Sequence, residues 1–126
     1  MHYIPGFRLD RKIALVTGAS KGLGETIAHA LAESGATVAI VARDKALLDQ
    51  VAQKAKKLYG GVMYTFQADL IDIHGYPRLI TQIESDVGPI DILVNNAGTT
   101  IQQSAIDVDE QTWDYILDLN LKSVFF

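Results

Sequence analysis

The feature that most limits how this chain can fold is a strict alternation. Four short apolar runs rich in β-branched residues, "KIALVT" (12–17), "TVAIVA" (37–42), "VMYTF" (62–66) and "IDILVN" (90–95), are separated by segments whose apolar residues recur at helical spacing. Runs of that length and composition predict buried strands. The spacing of Leu23, Ile27 and Leu31, of Leu47, Val51, Ala55 and Leu58, and of Leu79, Ile83 and Val87 predicts three helices with those residues turned inward. "ESGA" and "YGG" place glycine just past the last apolar position, and "VGPID" adds a proline behind its glycine, so all three helices have legible stops. The third start has two solutions: a helix beginning near Tyr76 with Pro77 in its first turn, or a helix kinked after Asp72. Strands and helices in this order, joined by short loops, predict an α/β fold: a doubly wound parallel sheet with right-handed crossovers and helices on both faces, hence three layers.

Between the first strand and the first helix stands "TGASKGLG" (17–24), with three glycines in eight residues. In a βαβ unit this is where dinucleotide phosphates bind, on backbone N–H groups at the amino end of the helix. Gly18 then permits the sharp exit from the strand, Gly22 lets backbone approach a diphosphate, and Gly24 lets the helix lie close to the sheet. The spacing is G-x-x-x-G-x-G and not the general G-x-G-x-x-G, so the flanking strand and helix carry the nucleotide reading more than the glycines do.

Composition removes several other classes of function. With 126 residues, 48% hydrophobic and 21% charged, the chain has the size and balance of one globular domain. No apolar run approaches membrane length and "MHYIPGFRLDRK" lacks the apolar core of a signal peptide, so no membrane partner and a cytoplasmic setting are expected. There is no cysteine, and His2, His29 and His74 are too far apart for a helical metal pair; no metal is expected, and all three are read as surface or helix-side histidines. A net charge of -4 argues against a nucleic-acid partner, and "KAKK" (54–57) reads as a solvated helix side.

Four motifs in order resemble the short-chain dehydrogenase/reductase family, from about Leu9 to Phe126: Thr17, Gly18, Gly22 and Gly24 match its T-G-x-x-x-G-x-G loop, "ADL" (68–70) its acidic motif, "NNAG" (95–98) its motif after the fourth strand, and "DLNLKSVFF" (118–126) the segment bearing its active-site asparagine. The resemblance implies a Rossmann-type fold, of which residues 1–126 form roughly the first half, the N-terminal part of a single NAD(P)-binding domain. It implies cofactor contacts from Gly18, Ser20, Lys21, Gly22, Leu23 and Gly24, from Asp69 and Leu70 beside the adenine, and from Asn96, Ala97 and Gly98 along the ribose. It also gives Asn120 a place in a proton relay. Taken alone, Asp69 reads as a turn cap, Asn95, Asn96 and Gly98 as loop residues with unusual backbone angles, and Asn120 as a helix residue facing water or a bend. Trp113 reads as core.

Cofactor choice turns on the residues after the second strand, where NAD sites offer a carboxylate and NADP sites an arginine. Here Ala42 stands where the carboxylate is expected, Arg43 follows, and Lys21 adds a second positive charge. NADP(H) is expected, with NAD the second choice if Asp44 takes the ribose. The family's tyrosine acid, in Y-x-x-x-K, is absent: the residues four places after Tyr3, Tyr59, Tyr64, Tyr76 and Tyr115 are Phe7, Met63, Ala68, Ile80 and Leu119. The chain thus reads as an N-terminal fragment, catalytically silent and poorly stable alone, of a homo-oligomeric oxidoreductase acting on a small carbonyl or hydroxyl compound. Gluconate 5-dehydrogenases and ketoacyl-carrier-protein reductases are the nearest flavours. The rival reading is a non-catalytic dinucleotide-binding scaffold that keeps only the loop.

Overall fold

The structure, a computed structural model, describes residues 6–126, so the reading of His2 lies outside the described residues. Strands β1 (Ile13–Thr17), β2 (Thr37–Ala42), β3 (Met63–Gln67) and β4 (Ile92–Val94) alternate with helices α1 (Gly22–Glu33), α2 (Lys45–Tyr59) and α3 (Tyr76–Asp86), and α4 (Glu110–Leu117) follows. They make one parallel sheet in the order β3-β2-β1-β4. Register is set by Ala14 beside Val38 and Ile92, and by Val38 beside Met63. The chain steps outward from β1 to β3 and then returns across β1 to β4. That reversal is the topological switch point, and in open α/β sheets it marks the crevice where ligands bind beyond the carboxyl ends of the strands.

The three-layer expectation holds. On one face Val16, Val38 and Ile40 pack with Ala28 and Ala32 of α1 and Leu48 and Val51 of α2; on the other Leu15, Ala39, Val41 and Phe66 pack with Ile83 of α3. Because the central strands are covered on both sides, they read as continuous apolar runs and not as alternating ones.

Two of the predicted helix faces are corrected. In α1 the buried line is Gly24, Ala28 and Ala32, with Ile27 and Leu31 flanking it, while Leu23 is 69% exposed. The helix lies so close to the sheet that only small side chains fit between them, which turns the large ones to the edges. In α2 the buried residues are Leu48, Val51 and Ala55, and Leu58 is 65% exposed. Lys54, Lys56 and Lys57 are exposed as expected, and Lys56 and Lys57 stand in the last turn, where cations oppose the helix dipole. The helix stops at Gly60, at φ 69°, a left-handed conformation that glycine adopts without a Cβ penalty.

Of the two starts offered for the third helix, the one at Tyr76 is found, preceded by a 3-10 turn at Ile73–Gly75, with Pro77 where its missing N–H costs nothing. Trp113 is a further correction. It is 60% exposed, and none of the residues of α4 is buried, because no other element of the described residues covers the outer side of that helix.

His29 and Tyr59 tie α1 to α2: the His29 Nδ1 and Tyr59 Oη lie 2.5 Å apart, with the rings edge to face at 5.7 Å. Burial, reinforced by the nearby Glu33 carboxylate, pushes the Tyr59 phenol up to about 12. The folded chain therefore holds this proton more tightly than the unfolded chain, whose tyrosine titrates near 10. The resulting stability is fully present below about pH 10 and is lost as pH rises through about 12. Urea melts between pH 9 and pH 12 should show a steeper loss for the wild type than for Tyr59→Phe, and parallel curves would exclude the linkage.

Candidate functional site: a cleft at the sheet's carboxyl edge

The cleft, with a volume near 900 Å³, opens where the switch point places it. Gly18, Ser20, Lys21, Gly22, Leu23 and Gly24 form one wall, from the turn between β1 and α1. Ala42, Arg43 and Asp44 follow β2, Asp69 and Leu70 follow β3, and Asn96, Ala97 and Gly98 follow β4. Every residue expected to contact a cofactor thus lines one cavity. Asn120 lies behind this wall, its Oδ1 3.2 Å from where a Cβ on Gly98 would stand.

Backbone geometry explains the glycines. Gly18 has φ 63°, and a Cβ there would stand 2.9 Å from the Ala97 Cα. Gly22 has φ 60° with nothing within 4 Å of an added Cβ, so it borders open space. Gly24 sits where a Cβ would collide with the Gly18 carbonyl and the Asn96 side-chain amide. At the amino end of α1, Lys21 is extended and supplies no capping hydrogen bond, so the first-turn N–H groups face the cleft without a side-chain acceptor. A cradle lined with hydrogen in place of side chains, at an uncapped helix start, fits a dinucleotide's diphosphate.

Thr17 joins the two central loops. Its hydroxyl, on a residue only 8% exposed, accepts from the Asn96 N–H at 3.0 Å and the Ala97 N–H at 2.9 Å. The Asn96 side chain answers by donating to the carbonyls of Thr17 and Gly18, each at 3.1 Å. Asn96 therefore braces the glycine turn, while the neighbouring Ala97 and Gly98 complete the wall.

The cleft's polar residues divide by whether they are already engaged. Asp44 caps α2, accepting from the Leu47 N–H at 3.0 Å. Asp69 closes its own turn by accepting from the Ile71 N–H at 3.2 Å, so it both caps and lines the cleft. Lys45 is held by Asp49 at 2.6 Å and by the Thr65 hydroxyl at 2.7 Å, and the Lys45 hydrogen bond is the main reason the Asp49 carboxyl titrates below its usual range. Behind Leu70, Tyr76 donates to the Leu70 carbonyl at 2.6 Å, and burial raises its phenol.

Asn120 is the middle residue of a π-helical turn, Asp118–Lys122, that continues α4. Wide turns of this kind inside helices recur at functional sites. Both ends of its amide are spent on one residue: Oδ1 accepts from the Thr99 N–H and Nδ2 donates to the Thr99 carbonyl, each at 2.8 Å. The side chain fixes the loop after β4 against the helix.

These features have close counterparts. Residues 12–126 match the short chain dehydrogenase family. The chain belongs to that family. It is 37% identical to the 2-dehydro-3-deoxy-D-gluconate 5-dehydrogenase of Dickeya dadantii (strain 3937), across 95% of this chain and 46% of that one. It is 41% identical to a 3-oxoacyl-(acyl-carrier-protein) reductase of Staphylococcus aureus (strain Mu50), across 90% of this chain and 46% of the relative. The L-sorbose reductase of Gluconobacter frateurii, solved as a complex with NADPH and L-sorbose, superposes with a TM-score of 0.88 at 28% identity, covering 94% of this chain and 45% of that one. This short-chain dehydrogenase chain therefore spans about half the length of the relatives it matches. Among the described residues no helix is long and apolar enough to cross a membrane.

Sequence reasoning missed part of the site. Lys45, Leu47, Gln67, Ile71, Tyr115 and Leu119 also line the cleft. For Tyr115 and Leu119 a signal was present, since residues four apart share one helix face. Gln67 carried none beyond its place at the end of β3.

Proposed function

We propose that this chain forms the coenzyme-binding half of an NADP(H)-dependent oxidoreductase, which moves hydride between the nicotinamide and a carbonyl or secondary alcohol. The observation that carries the reading is the charge at the adenosine end. Ala42 stands where a carboxylate is expected, Asp44 Oδ1 is taken by the Leu47 N–H, and Arg43 is exposed in the cleft wall with Lys21 on the facing turn. A monoester phosphate needs such donors, whereas a free ribose hydroxyl needs an acceptor. The NADPH held by the sorbose reductase is consistent with this choice.

In this reading the Gly18–Gly24 turn holds the diphosphate, Asp69 and Leu70 border the adenine, and Ala97 and Gly98 line the ribose on the nicotinamide side. Asn120, through Thr99, keeps that wall in place and stands beside the reacting centre. Bound NADPH supplies the hydride. The proton would come from the tyrosine of a Y-x-x-x-K pair, which these 126 residues do not contain, so the isolated chain is proposed to bind without turning over. A sugar acid or a 3-ketoacyl thioester is the proposed substrate, by similarity to the relatives of Dickeya and Staphylococcus. The whole enzyme is proposed to work in the cytoplasm as a homo-oligomer. Exposed Trp113, Leu121 and Phe125 supply apolar surface that such assembly would cover.

Titration with both coenzymes tests the assignment. NADPH should bind more tightly than NADH, and Arg43→Ala should weaken NADPH by roughly 10- to 100-fold, the worth of a lost charge-assisted bond, while leaving NADH nearly unchanged. NADH binding as tightly as NADPH to the wild type would overturn it.

A further inference from the structure

Arg43 and Asp44 are the whole connection between β2 and α2. Sheet bonding ends just before them, with the Ala68 N–H on the Ala42 carbonyl at 3.0 Å, and helix bonding begins just after, with the Asp44 carboxylate on the Leu47 N–H. The Arg43 carbonyl belongs to neither ladder. It is taken by a side chain: Gln67, the last residue of β3, donates from Nε2 at 2.8 Å.

Gln67 has no place in the core. It is exposed and lines the cleft, and in the parallel register it stands beside Ala42, one residue short of the arginine. A long, exposed side chain loses rotamer freedom when held in one geometry, so a bond of this kind adds little to stability. What it does is restrain the orientation of the peptide that follows Arg43, and with it the direction in which the arginine side chain leaves the backbone. Lys45, the other cation on this connection's side of the cleft, is already tied to Asp49 and Thr65. Arg43 is thus the group there whose placement decides what the cleft can hold.

We infer that Gln67 is a specificity-positioning residue, which sets the preference for a 2′-phosphorylated over an unphosphorylated dinucleotide by holding the Arg43 carbonyl. The inference rests on the NADP(H) reading above and adds to it a residue on a different strand that touches the arginine's backbone and not its charge.

The experiment is a double-mutant cycle on the full chain with Gln67→Met, which keeps length and loses the donor, Arg43→Ala, and the pair, read as equilibrium dissociation constants for NADPH and NADH. Gln67→Leu serves as a second apolar variant, and thermal melts report folding of each. Gln67→Met should weaken NADPH about fivefold, the typical worth of one neutral hydrogen bond, and leave NADH unchanged. In the Arg43→Ala background the same substitution should change neither. Equal weakening of both coenzymes, unchanged NADPH affinity, or the same fivefold loss without the arginine would each overturn the inference. A wild type that binds both coenzymes alike would instead remove the NADP(H) reading beneath it, so the two failures are separable.

Discussion

Replacing Gly24 with alanine should unfold this chain more readily and abolish coenzyme binding, although the same change in most helices is stabilising. Within a helix interior alanine is favoured over glycine by about 1 kcal/mol. Here the methyl group would enter space held by the Gly18 carbonyl and the Asn96 amide, and would lie 2.9 Å from the Gly18 carbonyl carbon. Those neighbours are backbone and an amide bonded to backbone, so neither can swing aside. Overpacking costs about 1–3 kcal/mol, and the upper end, about 3 kcal/mol, applies against backbone that cannot yield; this outweighs the propensity gain. A net loss near 2 kcal/mol lowers Tm by roughly 5 °C or more in a domain of this size. Binding fails for a second reason: to relieve the clash, α1 or the glycine turn must move, and the first-turn N–H groups move with it. Gly22→Ala is the matched comparison, since nothing lies within 4 Å of its Cβ and its penalty is the left-handed φ of 60° alone, about 1 kcal/mol. It should stay folded and lose affinity for NADPH. A Gly24→Ala protein with unchanged Tm would show that α1 does not lie as close to the turn as described.

That contrast also shows what the amino-acid sequence makes legible. The strands were readable because the central ones are covered on both faces and so consist of uninterrupted β-branched residues, as in "TVAIVA". The helical periods were readable too, yet the α1 face was assigned one position early, to Leu23, Ile27 and Leu31. Hydrophobic spacing assumes that the largest residues are the most buried, and close helix–sheet contact reverses that order: Gly24, Ala28 and Ala32 take the seam because they are small. Trp113 misled for a related reason. An aromatic residue in an amphipathic stretch signals that a face will be covered, not what covers it, and none of the described elements covers it.

At the site, the glycines stood out in the sequence because few other residues satisfy their geometry, whereas Asn96 stood out only through the resemblance of "NNAG" to the family's motif. Engaged side chains did not. Nothing in "RDK" (43–45) distinguishes an aspartate that caps a helix from one that receives a ribose, or a lysine bound to Asp49 from one left for a phosphate. The aspartate's role depends on the Leu47 N–H three residues on, and the lysine's on Asp49 and Thr65, the last of which only folding brings near.

Thr17 illustrates how much one such partner can decide. In the sequence it is simply the residue before the first glycine, and a β-branched strand end suits valine equally well. In the fold its hydroxyl accepts from the two N–H groups that begin the Asn96–Gly98 wall, and the Asn96 N–H is shared with the Val94 carbonyl at 3.1 Å. Thr17→Val keeps the shape and removes the acceptor. The Asn96 N–H keeps the Val94 carbonyl, whereas the part-buried Ala97 N–H is left unpaired, so a loss of about 1–3 kcal/mol is expected. Thr17→Ser, which keeps the hydroxyl and drops one methyl, should cost about 1 kcal/mol. Urea denaturation of the two variants separates the effects, and equal losses would mean that the hydroxyl carries no structural load. The valine variant should also weaken coenzyme binding even where it remains folded, because the β4 loop would be tied to the glycine turn only by the Asn96 side chain. The serine variant should bind nearly as the wild type does. Affinity and stability would then fall together through a residue that is not among those lining the cleft, which is the behaviour expected when a binding wall is assembled from two loops joined through one small hydrogen-bond network.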